Sequence, residues 1–168
     1  MAGTSARVTA LTQTEPDWDG YAARAQNYLN RPIFKGTPLN GQMLADEARQ
    51  TYKKTGVYVP DSLALAQAQT ETHMGLATRT PNNIFNIGET DAGAHKNYSQ
   101  PEDSVSDYYQ LMANKYYGRG QKTTGDLLNN FTNVNGQRYA SNPNYENMIS
   151  GQMGFINRYN GANNANNN

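Results

Sequence analysis

Apolar and aromatic residues recur at intervals of three and four along most of the chain, the period of helices with one buried face. From Asp17 to Leu29 they are Trp18, Tyr21, Ala22, Ala25 and Tyr28, and Asn30 with Pro32 ends the run. From Leu39 to Thr55 they are Met43, Leu44, Ala48 and Tyr52, closed by Gly56, which accepts the left-handed conformation of a helix cap. A third helix begins near Pro60 or Asp61, where proline suits the first turn and aspartate the positive end of the dipole. Its Leu63, Ala64, Leu65, Ala66 and Ala68 cover almost the whole circumference, which predicts a central helix wrapped by its neighbours. Ser99-Gln-Pro-Glu102 has capping-box spacing and opens a fourth helix, with Val105, Tyr109, Met112 and Tyr116 on one face before Gly118. A short helix is expected over Thr124 to Phe131 and a turn at Val134-Asn-Gly136. The last helix runs from Pro143, behind an Asn142 cap, through Tyr145, Met148, Ile149, Gln152 and Ile156 to about Tyr159.

Strand signals are confined to Ile84-Phe-Asn-Ile87 and to Gly88 through Tyr98, so the pattern predicts a mainly α domain with at most a small β-hairpin. Residues 1 to 15 lack periodicity and read as an extended polar arm, residues 16–160 as one domain, and 161–168 as a disordered Asn-rich tail.

Composition narrows the chemistry. At 168 residues one core is expected. Lys plus Arg and Asp plus Glu number 14 each, which gives no net field for nucleic acid. The absence of cysteine removes disulfides, thiolate zinc sites and thiol nucleophiles together. No apolar run has the length of a membrane span, and the amino-terminal stretch has no apolar core of the kind a secretory signal carries. Twelve tyrosines against one tryptophan, with abundant asparagine, suit a surface that hydrogen-bonds polar partners such as sugars.

The stretch AQTETHMG, residues 68 to 75, sets Glu71 near the end of the buried third helix. Low-dielectric surroundings and unpaired helix-end carbonyls both disfavour the ionised carboxyl, so both raise its pKa. A carboxyl kept protonated toward neutral pH can protonate a glycosidic oxygen as the bond to the sugar breaks. The alternative is a solvated residue at a helix end. His73 lies two positions from Glu71 on a different helical face, and no HExxH spacing occurs. Neither a metal nor a cofactor is therefore expected, and His73 reads as a cap.

Four elements in order, AQTETHMG, TPNNIFNIG, NYSQPEDSVSDYYQLM and RYASNPNYENMI, resemble those of the glucosaminidase family of peptidoglycan hydrolases, glycoside hydrolase family 73, and especially its compact phage-borne relatives. The resemblance covers roughly Pro60 to Tyr159. It implies a lysozyme-like helical domain that cleaves the β-1,4 bond beside N-acetylglucosamine in cell-wall glycan strands. By the same resemblance Glu71 is the catalytic acid and Tyr139 the aromatic near the scissile sugar, with Phe85 and Asn86 at the floor of the cleft. Phe85 read by itself is a core residue. Tyr98, the aromatic of the third element, and His73 are counted with the substrate-binding residues. Where larger members carry a lobe with a second carboxylate, this chain has only Glu89 to Asn97, so Glu89 or Asp91 is the candidate base that activates water.

The expected protein is a muralytic glycosidase, virion-associated or released to the bacterial wall. Its partners are glycan strands and, through the arm, other virion or tail proteins. A non-catalytic tail or capsid protein and a lytic transglycosylase stand as alternatives.

Overall fold

The computed structural model describes residues 15–88 and 95–166, with side chains as far as residue 162. Among these, six α-helices carry the fold: α1 (Trp18–Leu29), α2 (Gly41–Thr55), α3 (Asp61–Thr72), α4 (Pro101–Leu111), α5 (Thr124–Asn129) and α6 (Tyr145–Asn166). The central helix is α3. Every residue from Asp61 to Ala68 is buried, α1 and α6 pack directly against it, and α2 packs against α1 and α4. Asp61 is buried at the start of α3, and the Arg24 guanidinium of α1 answers its charge through Nε at 3.0 Å and Nη2 at 3.3 Å.

The α1–α2 crossing depends on Gly41. A Cβ there would lie 2.1 Å from the carbonyl oxygen of Ala22, so only glycine lets the two backbones approach this closely. Aromatic rings fill much of the interior. Phe85 stacks on Tyr108 at 3.8 Å with an 8° interplanar angle. The Tyr21 hydroxyl bonds to the Val59 carbonyl at 2.9 Å and to the Tyr109 hydroxyl at 2.7 Å. Near the surface, the Arg31 guanidinium lies 5.0 to 5.7 Å from the ring centres of Tyr28, Phe34, Phe155 and Tyr159, which ties the chain after α1 to α6.

The mainly α expectation holds, with several local differences. α2 starts at Gly41, because Asn40 accepts from the Met43 amide and caps it. α4 has no capping box: Pro101 takes the first helical position, Gln100 is the N-cap without a side-chain bond, and Ser99 falls outside the helix. The box is found instead at α5, where Thr123 and Asp126 satisfy each other's backbone amides. Val105, Tyr109, Met112 and Tyr116 are all buried, but the last turn widens into a π-turn over Met112–Tyr116. α5 stops at Asn129 instead of Phe131. The expected turn closes with Gly136 N donating to the Asn133 carbonyl at 2.9 Å.

No extended strand occurs among the described residues. The expected hairpin reduces to one antiparallel bridge between Gly88 and His95, with a second isolated bridge at Thr132 and Arg138. Asn142 caps a turn through its bond to Asn144 N, and α6 starts later, at Tyr145. Within α6, Met148 is 45% exposed and Met153 takes the buried position. The helical backbone continues past Tyr159 to Asn166, where a disordered tail was expected, because extending an existing helix avoids the cost of nucleation. The expected arm at residues 1 to 14 lies outside the described residues.

Candidate active site

The last turn of α3 carries Glu71, and side chains fasten that turn to the loop facing it. The Thr72 hydroxyl donates to the Ile84 carbonyl at 2.6 Å and accepts from Gly75 N at 2.9 Å. Fully buried Asn83 shapes the loop in place of a strand ladder. Its Oδ1 accepts from Ile87 N at 2.9 Å, and its Nδ2 donates to the carbonyls of Ile87 at 2.9 Å and Lys96 at 3.0 Å. Asn86 sits at a φ of 52°, a conformation asparagine tolerates better than most residues. From there its Nδ2 donates to Glu71 Oε2 at 2.9 Å and to the Glu71 carbonyl at 3.0 Å. The Tyr145 hydroxyl, at the start of α6, favours the ionised Glu71 carboxyl.

A second stretch, Tyr139 to Asn142, completes the cleft. Arg138 braces it: Nε donates to the Ala140 carbonyl at 3.1 Å and Nη2 to the Asn142 carbonyl at 3.1 Å, while the guanidinium pairs with Glu146 of α6. The Tyr139 ring stacks on Tyr145 at 5.8 Å and 7°, and its hydroxyl donates to the Phe85 carbonyl at 2.8 Å. Glu71, Asn86, Arg79, His95 and the stretch 139–142 together line a cleft of about 260 Å³. Pockets that hold a drug-sized ligand run to roughly 300–1,000 Å³. This one suits the reacting part of a polymer, with the rest of the strand lying outside it.

Burial pushes the Glu71 carboxyl above the ordinary range. The hydrogen bond from Asn86, then the Tyr145 hydroxyl and the charges of Arg79 and His95, oppose that shift without cancelling it. The helix-end contribution is smaller than the sequence suggests, because the last carbonyls have partners. His73 N bonds to Gln69 O, Met74 N to Ala68 O and Ala77 N to Thr72 O. Burial therefore dominates.

Of the residues singled out in the sequence, Glu71, Asn86 and Tyr139 come together on the cleft. Phe85 is fully buried and supports the floor from beneath without reaching the cleft surface. His73 is the C-cap of α3 at a φ of 52°, with its ring 5.3 Å from Phe34 and its Nε2 3.1 Å from the Ile33 carbonyl. It does not line the cleft. Neither does Tyr98, whose hydroxyl donates to Asp107 at 2.5 Å. Glu89 and Asp91 lie outside the described residues. Glu71 is the one carboxylate on the cleft among the described residues.

Sequence reading missed Tyr145, which stacks on Tyr139 behind the cleft, although it closes the same RYASNPNY element that contains Tyr139. It also missed Arg79 and His95. Both lie in connections without periodicity, where no local signal points to a cleft.

A carboxyl whose pKa is raised by burial, set at a narrow cleft in a helical domain, fits a glycoside-cleaving enzyme that works by acid catalysis. The chain belongs to the glucosaminidase family: the family model described as "Glucosaminidase: Mannosyl-glycoprotein endo-beta-N-acetylglucosaminidase" matches residues 45–160. That span begins within α2, upstream of the expected Pro60, and includes every residue lining the cleft. The family is one of endo-β-N-acetylglucosaminidases, glycoside hydrolases that act on peptidoglycan. No curated protein and no solved structure gives a match.

Proposed function

We propose that the protein cleaves the β-1,4 bond beside N-acetylglucosamine in peptidoglycan glycan strands, with Glu71 as the general acid. The observation that carries this reading is the Glu71 carboxyl itself, half-buried, raised in pKa by burial and open to the cleft. As the glycosidic bond breaks, the proton of Glu71 passes to the departing oxygen, and Asn86 stabilises the carboxylate left behind. The Tyr139 hydroxyl spends its hydrogen on the Phe85 carbonyl and keeps lone pairs to accept from the 2-acetamido N–H. Glu89 or Asp91 supplies the base that activates water. Support for that role comes from the flanks of their segment: Gly88 and His95 are bridged, and His95 lines the cleft.

Glu71→Gln keeps the shape and removes the transferable proton, so wall-clearing activity falls about 10²–10⁴-fold while binding to purified peptidoglycan persists. Mass spectrometry of the wild-type digest decides the reaction. Reducing N-acetylglucosamine ends support this proposal, anhydro-muramic ends indicate a lytic transglycosylase, and an inert wild type that still binds indicates a non-catalytic wall-binding protein. A phage-borne setting belongs to the same proposal and is supported by the polar stretch 1–15 and the short segment replacing the larger lobe. The protein is then expected in purified virions by mass spectrometry, and its absence there removes that part.

A further inference from the structure

The chain between α3 and α4 brings a guanidinium to the cleft and leaves it unpaired. Arg79 is exposed and lines the cleft together with Glu71, Asn86 and His95. Its backbone is fastened on both sides: Ala77 N donates to the Thr72 carbonyl at 2.9 Å, and the Thr80 hydroxyl donates to the Lys96 carbonyl at 2.6 Å. The second bond joins the chain neighbours of Arg79 and His95, which brings these two distant residues to one cleft.

The neighbouring cations are committed elsewhere. Arg138 pairs with Glu146 and braces two carbonyls, and Lys96 pairs with Asp107 at 3.1 Å. Arg79 enters no ion pair and no hydrogen bond among the described residues. When Glu71 holds its proton, as a general acid must, the described lining of the cleft has a positive charge at Arg79 and no negative charge to answer it. The chain as a whole has no net charge, so any preference for an anion arises locally.

A guanidinium presents its N–H donors in a planar fork that matches a carboxylate. Glycan strands of bacterial walls carry carboxylates on the lactyl arm of muramic acid, either free or extended by a stem peptide with carboxylates of its own. Chitin has the same β-1,4 linkage and the same acetamido groups but no carboxylate. We propose that Arg79 is a specificity-determining residue of the cleft, a subsite for a carboxylate on the strand that separates muramic-acid strands from neutral, chitin-like ones. This rests on the reading of the cleft as the glycan site. Because the two sugars of the wall strand alternate, holding one carboxylate also fixes which of the two linkages reaches Glu71.

The test is calorimetric binding of soluble strands to the full chain in the Glu71→Gln background, which removes any route from Arg79 through the Glu71 charge. Three ligands of equal length are compared: peptide-free muramic strands, strands with stem peptides, and chitin oligomers. Arg79→Gln weakens binding of muramic strands about tenfold and leaves chitin affinity within about twofold. Arg79→Lys keeps the charge without the fork and falls between. Added salt weakens muramic-strand binding, and does so less once Arg79 is replaced.

A selective loss on peptide-free strands assigns the subsite to the lactyl carboxylate, and one confined to peptide-bearing strands assigns it to the stem peptide; either supports the proposal. Equal losses on chitin and muramic strands overturn it, because Arg79 then holds the loop or pairs with Glu89 or Asp91. Unchanged binding of all three ligands overturns it as well. A Glu71→Gln variant that still cleaves defeats the acid assignment alone, since strand binding continues to judge Arg79.

Discussion

At Glu71, burial that raises the pKa acts against folding once the carboxyl is ionised. The folded chain favours the protonated carboxyl more than the unfolded chain does, so in the window between the ordinary carboxyl range and the raised value the native state holds the extra proton. Stability contributed by this group is present below that window and declines as pH rises through it. Glu71→Gln abolishes the titration, so its melting temperature relative to wild type should climb between about pH 4 and pH 7. Thermal denaturation at both values checks this, and a gap that stays constant means the acid titrates as it would in the unfolded chain. That Glu71 stands at the cleft was legible in the sequence, because a lone carboxylate ending an apolar helix conflicts with burial unless it reaches an opening. Its partners were less so. Tyr145 lies 78 positions from Gln67, and nothing local to either residue records that the two meet.

Among the elements, α3 was readable from composition alone, since apolar residues around the full circumference leave no face for solvent. The ends of helices were harder. Proline at the first position of α4 displaced the capping box to a place where it served no helix, and the same device at α5 went unread because the short helix offered little periodicity. The loop after α3 defeated strand expectations, because the side chains of Thr72 and Asn83 do the work that a strand partner's backbone would otherwise do. Thr72→Val keeps the size and removes the hydroxyl, which leaves Ile84 O and Gly75 N without that partner. The expected cost is about 1–3 kcal/mol, read as a lower urea midpoint at an unchanged slope. Activity should fall as well, since the same hydroxyl sets where Asn86 meets Glu71.

For the whole molecule, one cluster of buried residues takes side chains from all six helices, from Tyr21 to Ile156. Among the described residues no part has a core of its own, so unfolding is expected in a single step. Trp18 reports on the α1–α2 side through its contacts with Tyr21 at 5.8 Å, Tyr52 at 5.8 Å and Tyr58 at 5.9 Å. Its fluorescence and the far-ultraviolet circular dichroism should give coincident denaturation midpoints. Separated midpoints would mean that the first two helices melt independently of the centre.

The groups around the acid come from widely separated stretches: Gln67 and Glu71 on α3, Asn86 in the loop after it, Tyr139 and Tyr145 at the entry to α6. A nick at the exposed Gly120–Gln121 junction would therefore leave Glu71 on one fragment and Tyr139 and Tyr145 on the other. On the proposed function, each piece alone is expected to be inert and their reunion to restore cleavage, which makes the molecule a candidate for a split sensor that fires when two fused baits bring its halves together.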